Sequence, residues 1–352
     1  MNGVIQICPT KNTTKHNPAG WRNVPETYQP LNPERVAELL AQEWETFAKA
    51  TPRSGEHNKE AAKVLPLGVT SSFQHWDPHP ISVVSAKGAY VTDIDGRELL
   101  DLSMGFGAML VGHLNPTIVE RVKHALDNVG TLFVTPSPTA TVAAEAFAKR
   151  FGLDMLRFTN SGTEATMDAI RVARGATGRD KIVKVEGGYH GHHDEVMVSM
   201  KPAIAHAGPA DNPIAVPATA GLTAAVLADT IVIPYNDPEA LERVLRNGDV
   251  ACFIVEPVME NIGICLPQPG YLEAVREITS RYGTLLLFDE VKTGITAGWS
   301  GAAGALGVQP DLIALAKSIG GGLPLGAFGG KREYMDEITN GRVLHLGTYN
   351  GN

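Results

Sequence analysis

The feature that most constrains this chain is a regular alternation that begins near Met155. Short apolar runs at residues 156–158, 182–185, 230–234, 250–255 and 284–289 are bounded by turn residues. Helical patterns at residues 163–175, 238–246 and 271–282 lie between them. Runs that stay apolar on both faces suit strands sandwiched between helices, and helical crossovers make neighbouring strands parallel. The predicted fold class is α/β, with a mostly parallel central sheet covered by helices. Ligands in such sheets meet the carboxyl ends of strands. Each polar residue that closes a run therefore has an address.

The chain before residue 155 is more varied. Residues 1–30 are polar, with scattered Pro, Asn and Thr, and read as a flexible leader. Residues 32–50 turn helical, with Val36, Leu39, Leu40, Trp44 and Phe47 at three- and four-residue steps and Pro33 just inside the start. A loop rich in Pro, Ser and Gly follows. Short strands are predicted over residues 81–84, 90–93 and 98–101, around the Asp95-Gly96 turn. Asn115-Pro116 opens a helix over residues 117–129, and another covers 138–151.

Composition excludes several function classes. A formal net charge of −8, with no basic run, argues against nucleic acid as a partner. Cys8, Cys252 and Cys265 show no CxxC spacing, so neither a disulfide framework nor a zinc knuckle is suggested. No run reaches the roughly 20 apolar residues of a membrane span, and the N-terminus lacks a secretory pattern. A cytoplasmic protein without a membrane partner is expected.

Four motifs carry the chemistry. Lys317 stands in an apolar, glycine-rich run, Leu315-Ala316-Lys317-Ser318-Ile319-Gly320-Gly321-Gly322. Burial there would free its amine as a nucleophile, while a surface position would make it a plain helix-end lysine. Asn160-Ser161-Gly162-Thr163 joins a strand to a helix, where free N–H groups and hydroxyls suit a phosphate, although capping alone also explains such a sequence. After residue 185 comes Glu186-Gly187-Gly188-Tyr189-His190-Gly191-His192-His193-Asp194. Its glycines and spacing do not suit a metal site, but Tyr189 could lie against a planar ring. Two further strands end in Glu256-Pro257, with Asn261 close behind, and in Asp289-Glu290. Adjacent strand residues face opposite ways, so Asp289 and Glu290 cannot flank one glycosidic bond. A strand-end Asp does suit a protonated ring nitrogen. Phosphate site, stacking aromatic, ring-nitrogen acid and buried lysine together describe a site for pyridoxal 5′-phosphate (PLP).

The sequence resembles the class III PLP-dependent aminotransferases. Within them it is most similar to the branch containing glutamate-1-semialdehyde 2,1-aminomutase and the β-amino-acid aminotransferases. The matching text includes TDIDG, VGHLNP, RFTNSGTEATMDAIRVARGATGRDKIVKVEGGYHGHHD, FIVEPV, LLLFDEV, PDLIALAKSIGGGLPLGAFGG and HLGTYNGN. The resemblance implies PLP-dependent transferase fold type I. It implies a leader over 1–30, a segment at 31–105 contributing to a small domain, and a large PLP-binding domain over 106–352, with the rest of the small domain apparently missing. By matching motif, Lys317 would form the Schiff base and shuttle a proton, Asp289 would pair with the pyridine nitrogen and Tyr189 would stack on the ring. Ser161, Gly162 and Thr163 would bind the phosphate, Asn261 would sit near the ring hydroxyl, and His190 and Val291 would also contact the cofactor. Thr348 would reach the phosphate of a neighbouring subunit, which implies a homodimer.

The implied function is transfer of an amino group from an amino acid or amine to a keto acid or aldehyde, through a pyridoxamine phosphate form. The alternatives are an aminomutase or racemase using the same lysine, and a PLP-binding protein without activity. The aminomutase branch carries an arginine shortly after its GVxS turn, and the β-amino-acid relatives carry one at the position of Ser72. Here the run Gly68-Val69-Thr70-Ser71-Ser72-Phe73-Gln74 has none. A lost guanidinium removes a bidentate carboxylate clamp, so transamination of another amino compound is favoured.

Overall fold

A computed structural model describes residues 32–132 and 134–351. The expected leader, with Cys8, lies outside the described residues. The described residues form two compact units, one of residues 32–84 and 93–97, the other of residues 85–92, 98–132 and 134–351.

In the first unit, α1 (Pro33–Ala50) starts at Asn32, whose side chain accepts from the N–H groups of Glu34 and Arg35. A second helix, α2 (Pro52–Ala61), occupies the stretch read from the sequence as loop. Its start is fixed from afar: the Asp95 carboxylate accepts from Arg53 N, Ser54 N and Ser54 Oγ. Three short strands follow in the chain, β1 (Val83–Lys87), β2 (Tyr90–Asp93) and β3 (Glu98–Leu100). β2 and β3 pair antiparallel, with Tyr90 opposite Leu100.

The second unit begins its helices with α3 (Pro116–Asn128), capped by Asn115, and α4 (Pro138–Phe151), capped by Ser137. Then come β4 (Met155–Thr159), α5 (Gly162–Thr177), β5 (Lys181–Val185), α6 (Ala224–Asp229) and β6 (Thr230–Ile233). They are followed by α7 (Pro238–Leu245), β7 (Val250–Val255), α8 (Tyr271–Tyr282) and β8 (Leu285–Asp289). The remainder is α9 (Thr293–Thr296), α10 (Gly301–Leu306), β9 (Leu312–Leu315), β10 (Gly326–Gly330) and α11 (Arg332–Thr339). The sheet runs in the order β4-β10-β9-β8-β7-β5-β6. β5 through β9 pair parallel, and only β10 runs opposite, antiparallel to both β4 and β9.

Period-two alternation divides the core. Val183, Val185, Phe253, Val255, Leu286 and Phe288 pack with α7, α8 and α10 on one face. Ile182, Cys252, Ile254, Leu285 and Leu287 pack with α5 and α11 on the other. Each such side chain, fully buried, stabilises the fold by about 1.5–3 kcal/mol relative to exposure. With β10 reversed, the carboxyl ends of β4, β5, β7, β8 and β9 and the start of β10 share one edge of the sheet. The site lies along that edge.

Candidate active site

Five segments leave this edge and line one cavity of about 350 Å³, within the range of pockets that take a cofactor with a small substrate. After β4 come Asn160, Ser161, Gly162 and Thr163, after β5 Tyr189, His190 and Gly191, and after β7 Glu256, Val258 and Asn261. Asp289, Val291 and Lys292 follow β8, and Ala316 and Lys317 follow β9. Ala108 and the turn leading into β10 complete the wall.

Lys317 begins a 3-10 turn with φ of 51°, a left-handed conformation unusual for a side-chain-bearing residue. Such a backbone costs about 1–3 kcal/mol and persists where surrounding structure imposes it. Its ammonium makes no hydrogen bond or ion pair among the described residues. Burial pushes its pKa below the ordinary lysine value; Asp289 opposes that shift and Lys292 adds to it. The amine is thus placed in the cavity and biased toward its nucleophilic form.

Asp289 is buried at the last position of β8. His190 Nδ1 lies 2.8 Å from its Oδ2, and Val291 N donates to Oδ1 over 3.0 Å. His190, which the resemblance puts among the cofactor contacts, holds the acid in place. Glu290 points away from this group, and its carboxylate accepts from Ala302 N and Ala303 N at the start of α10. The paired carboxylates thus divide into one at the cavity and one in a helix cap.

Tyr189 is half-buried, and burial, with Asp289 nearby, raises its phenol pKa. Its N–H donates to Glu256 Oε1 over 3.0 Å, while Glu260 N donates to Oε2 over 2.9 Å. Asn261 Nδ2 donates to the Gly187 carbonyl over 3.0 Å. Glu256 and Asn261 thereby tie the segments after β5 and β7 together. Sequence reading singled out Glu256 only as a strand-end carboxylate, and its role as a backbone acceptor had no local signal.

Ser161 caps α5, accepting from Glu164 N over 3.2 Å, so the capping reading of this residue holds. The first-turn N–H groups of a helix have no partners within it, and they carry the positive end of the dipole. Thr163 Oγ1 lies 2.9 Å from His192 Nδ1. Gly191, at φ of 108°, packs so closely that a Cβ there would fall 2.7 Å from Thr163 Cα. Of the other histidines in the loop, His193 Nδ1 lies 2.9 Å from Glu195 Oε2. Thr348 is exposed and is not part of the cavity wall.

A desolvated lysine, a buried strand-end acid and an anion-ready helix start in one cavity fit PLP, whose aldehyde, ring nitrogen and phosphate need those three partners. Fold and site define a PLP-dependent enzyme of fold type I. The class III aminotransferase family profile matches residues 72–352. Glutamate-1-semialdehyde 2,1-aminomutase from Methanocella arvoryzae is 45% identical over 297 residues, spanning 83% of this chain and 68% of that protein. Among solved structures, an omega-transaminase from Sphaerobacter thermophilus is 38% identical with a TM-score of 0.81, over 85% of this chain and 69% of that one. A β-phenylalanine aminotransferase from Variovorax paradoxus is 32% identical with a TM-score of 0.77, over 90% and 70%. The chain belongs to the class III aminotransferases, and it is a PLP-dependent enzyme.

Proposed function

We propose that this enzyme transfers an amino group from a small amino acid or amine to a carbonyl acceptor, with Lys317 as the residue that links to PLP and moves the substrate proton. The observation that carries the role of Lys317 is its partly desolvated, unbonded amine in the same cavity as Asp289. When bound, PLP supplies an aldehyde that condenses with amines and a ring that withdraws electrons from the attached carbon. Asp289, fixed by His190 and Val291 N, would hold a positive charge at the ring nitrogen. The α5 start, with Ser161, Gly162 and Thr163, would receive the phosphate. Tyr189, Val291 and Asn261 would contact the ring from the same cavity wall. Lys317 would take a proton from one substrate carbon and return it to another, a role that its lowered pKa favours.

Thr348 lies exposed beyond the cavity wall, and we assign it to the cofactor of a second copy of the chain in a homodimer. Among the described residues no helix is long and apolar enough to cross a membrane, and we place the enzyme in the cytoplasm. The aminomutase is the second reading, favoured by the 45% identity to a relative of that name.

Two measurements test these readings. Absorbance of the protein mixed with PLP should show a lysine-linked cofactor band that Lys317→Ala abolishes; no band in the parent chain would overturn the reading. A panel of amines and amino acids is then incubated with and without a keto acid. Transamination requires the acceptor and converts it to an amino acid, whereas product formed from one substrate without acceptor would establish the aminomutase.

A further inference from the structure

The charges facing Lys317 are unbalanced. Asp289 comes from the end of β8, and Glu256 and Glu260 come from the segment after β7. Tyr189 and His190 line the cavity from the segment after β5. Three carboxylates around one amine would by themselves hold it as an ammonium, because each attracts a cation across a poorly screened cavity. Lys292 is the single other lysine or arginine in the cavity wall. It is half-buried, three residues past Asp289, and its ammonium makes no hydrogen bond or ion pair among the described residues. Asp289 and Glu256 each have both oxygens engaged, by His190 and Val291 N in one case and by Tyr189 N and Glu260 N in the other. Neither is committed to Lys292, whose charge remains available to the cavity.

We propose that Lys292 is a positioning residue for Lys317: a second lysine in the same cavity wall, without a bonded partner among the described residues, whose charge offsets the carboxylates of Asp289 and Glu256 gathered there. This inference rests on Lys317 being the reacting amine. Glu260 responds to the same two lysines. Burial raises its pKa above the ordinary carboxylate value, and Lys292 and Lys317 both pull it back. Glu260, Lys292 and Lys317 thus act on one another as one charge set, with no direct bond among them.

The test is trace acetylation of the full chain, freed of cofactor, across a pH series, with the extent at each lysine read by peptide mass spectrometry. Each lysine then reports its own titration, and exposed Lys49 serves as internal control. In Lys292→Gln the Lys317 midpoint should move to higher pH, while Lys292→Arg should keep the parent midpoint. Glu260→Gln should move it the other way, to lower pH. A change of packing alone would not produce shifts of opposite sign. An unmoved Lys317 midpoint in Lys292→Gln, in protein with unchanged circular dichroism and melting, would overturn the proposal. Should that variant not fold, Lys292→Met carries the same expectation, and an unmoved Lys317 midpoint there overturns it equally. The titration is read without PLP, so failure of the parent chain to bind cofactor would sink the functional reading and leave this result standing apart.

Discussion

Lys184 offers the sharpest test of the electrostatics around the site. It is fully buried in β5, on the face opposite Val183 and Val185, and its Nζ donates to the carbonyls of Val185 and Val198 over 3.1 and 2.7 Å. Those bonds fasten both ends of the loop that carries Tyr189 and His190. Burial lowers its pKa from 10.5 to about 7, against the opposing pull of Glu256 and Glu186. A base whose folded pKa is depressed costs nothing above its unfolded value, where it is neutral in both states. As pH falls from about 10.5 to about 7, the unfolded chain takes up the proton first and stability is lost. Each pH unit inside that window is worth about 1.4 kcal/mol, so the whole window is worth on the order of 5 kcal/mol. Below the window the contribution is flat. Lys184→Met removes the titration and keeps most of the side-chain volume. Urea unfolding of both proteins at pH 7, 8, 9 and 10 isolates this group, because other titrations cancel in the difference. The stability of the parent relative to Lys184→Met should rise with pH by up to about 1.4 kcal/mol per unit. Parallel stability curves would refute the reasoning and place the Lys184 ammonium in contact with water.

Two further substitutions probe the site's supports. His190→Ala leaves Asp289 Oδ2 without its 2.8 Å partner, and losing a hydrogen bond to a charged group costs about 1.5–3 kcal/mol, or roughly 10- to 100-fold in cofactor affinity. A spectroscopic PLP titration reads it, and an unchanged affinity would mean that His190 does not hold the acid. Gly326→Ala places a Cβ against Thr159 Oγ1 and the Ser161 carbonyl, where backbone cannot swing aside. Overpacking of this kind costs about 1–3 kcal/mol, so calorimetry should show a lower melting temperature together with weaker PLP binding. A normal melting curve would show that the turn after β4 yields more easily than its packing implies.

How far the sequence reveals this molecule depends on the range of the forces involved. β7 and β8 are legible because both faces are buried, and continuous apolar runs record that directly. β10 escapes notice because its sequence is Gly-Ala-Phe-Gly-Gly, which carries little strand signal. The reason is steric, since Cβ atoms at Gly329 and Gly330 would strike the carbonyls of Met155 and Asp311 on either side. α2 reads as a loop because Pro52, Ser54 and Gly55 suggest one, and the Asp95 carboxylate that secures its start lies some forty residues away. The site divides in the same way. Asp289, Ser161 and Tyr189 sit where predicted strands end, so their addresses follow from the alternation itself. Lys317 stands out only by its apolar, glycine-rich run, the strand before it having gone unread. Lys292 and Glu260 belong to separate loops, and each alone reads as an ordinary polar residue. Their importance comes from the long-range pairing of β7, β8 and β9, which brings three carboxylates and two lysines to one edge. Placing a residue in the wall of such a site is a local problem that sequence pattern can solve. The protonation state of the residue is a collective property of the assembled wall, and it becomes readable only once the strands are in register.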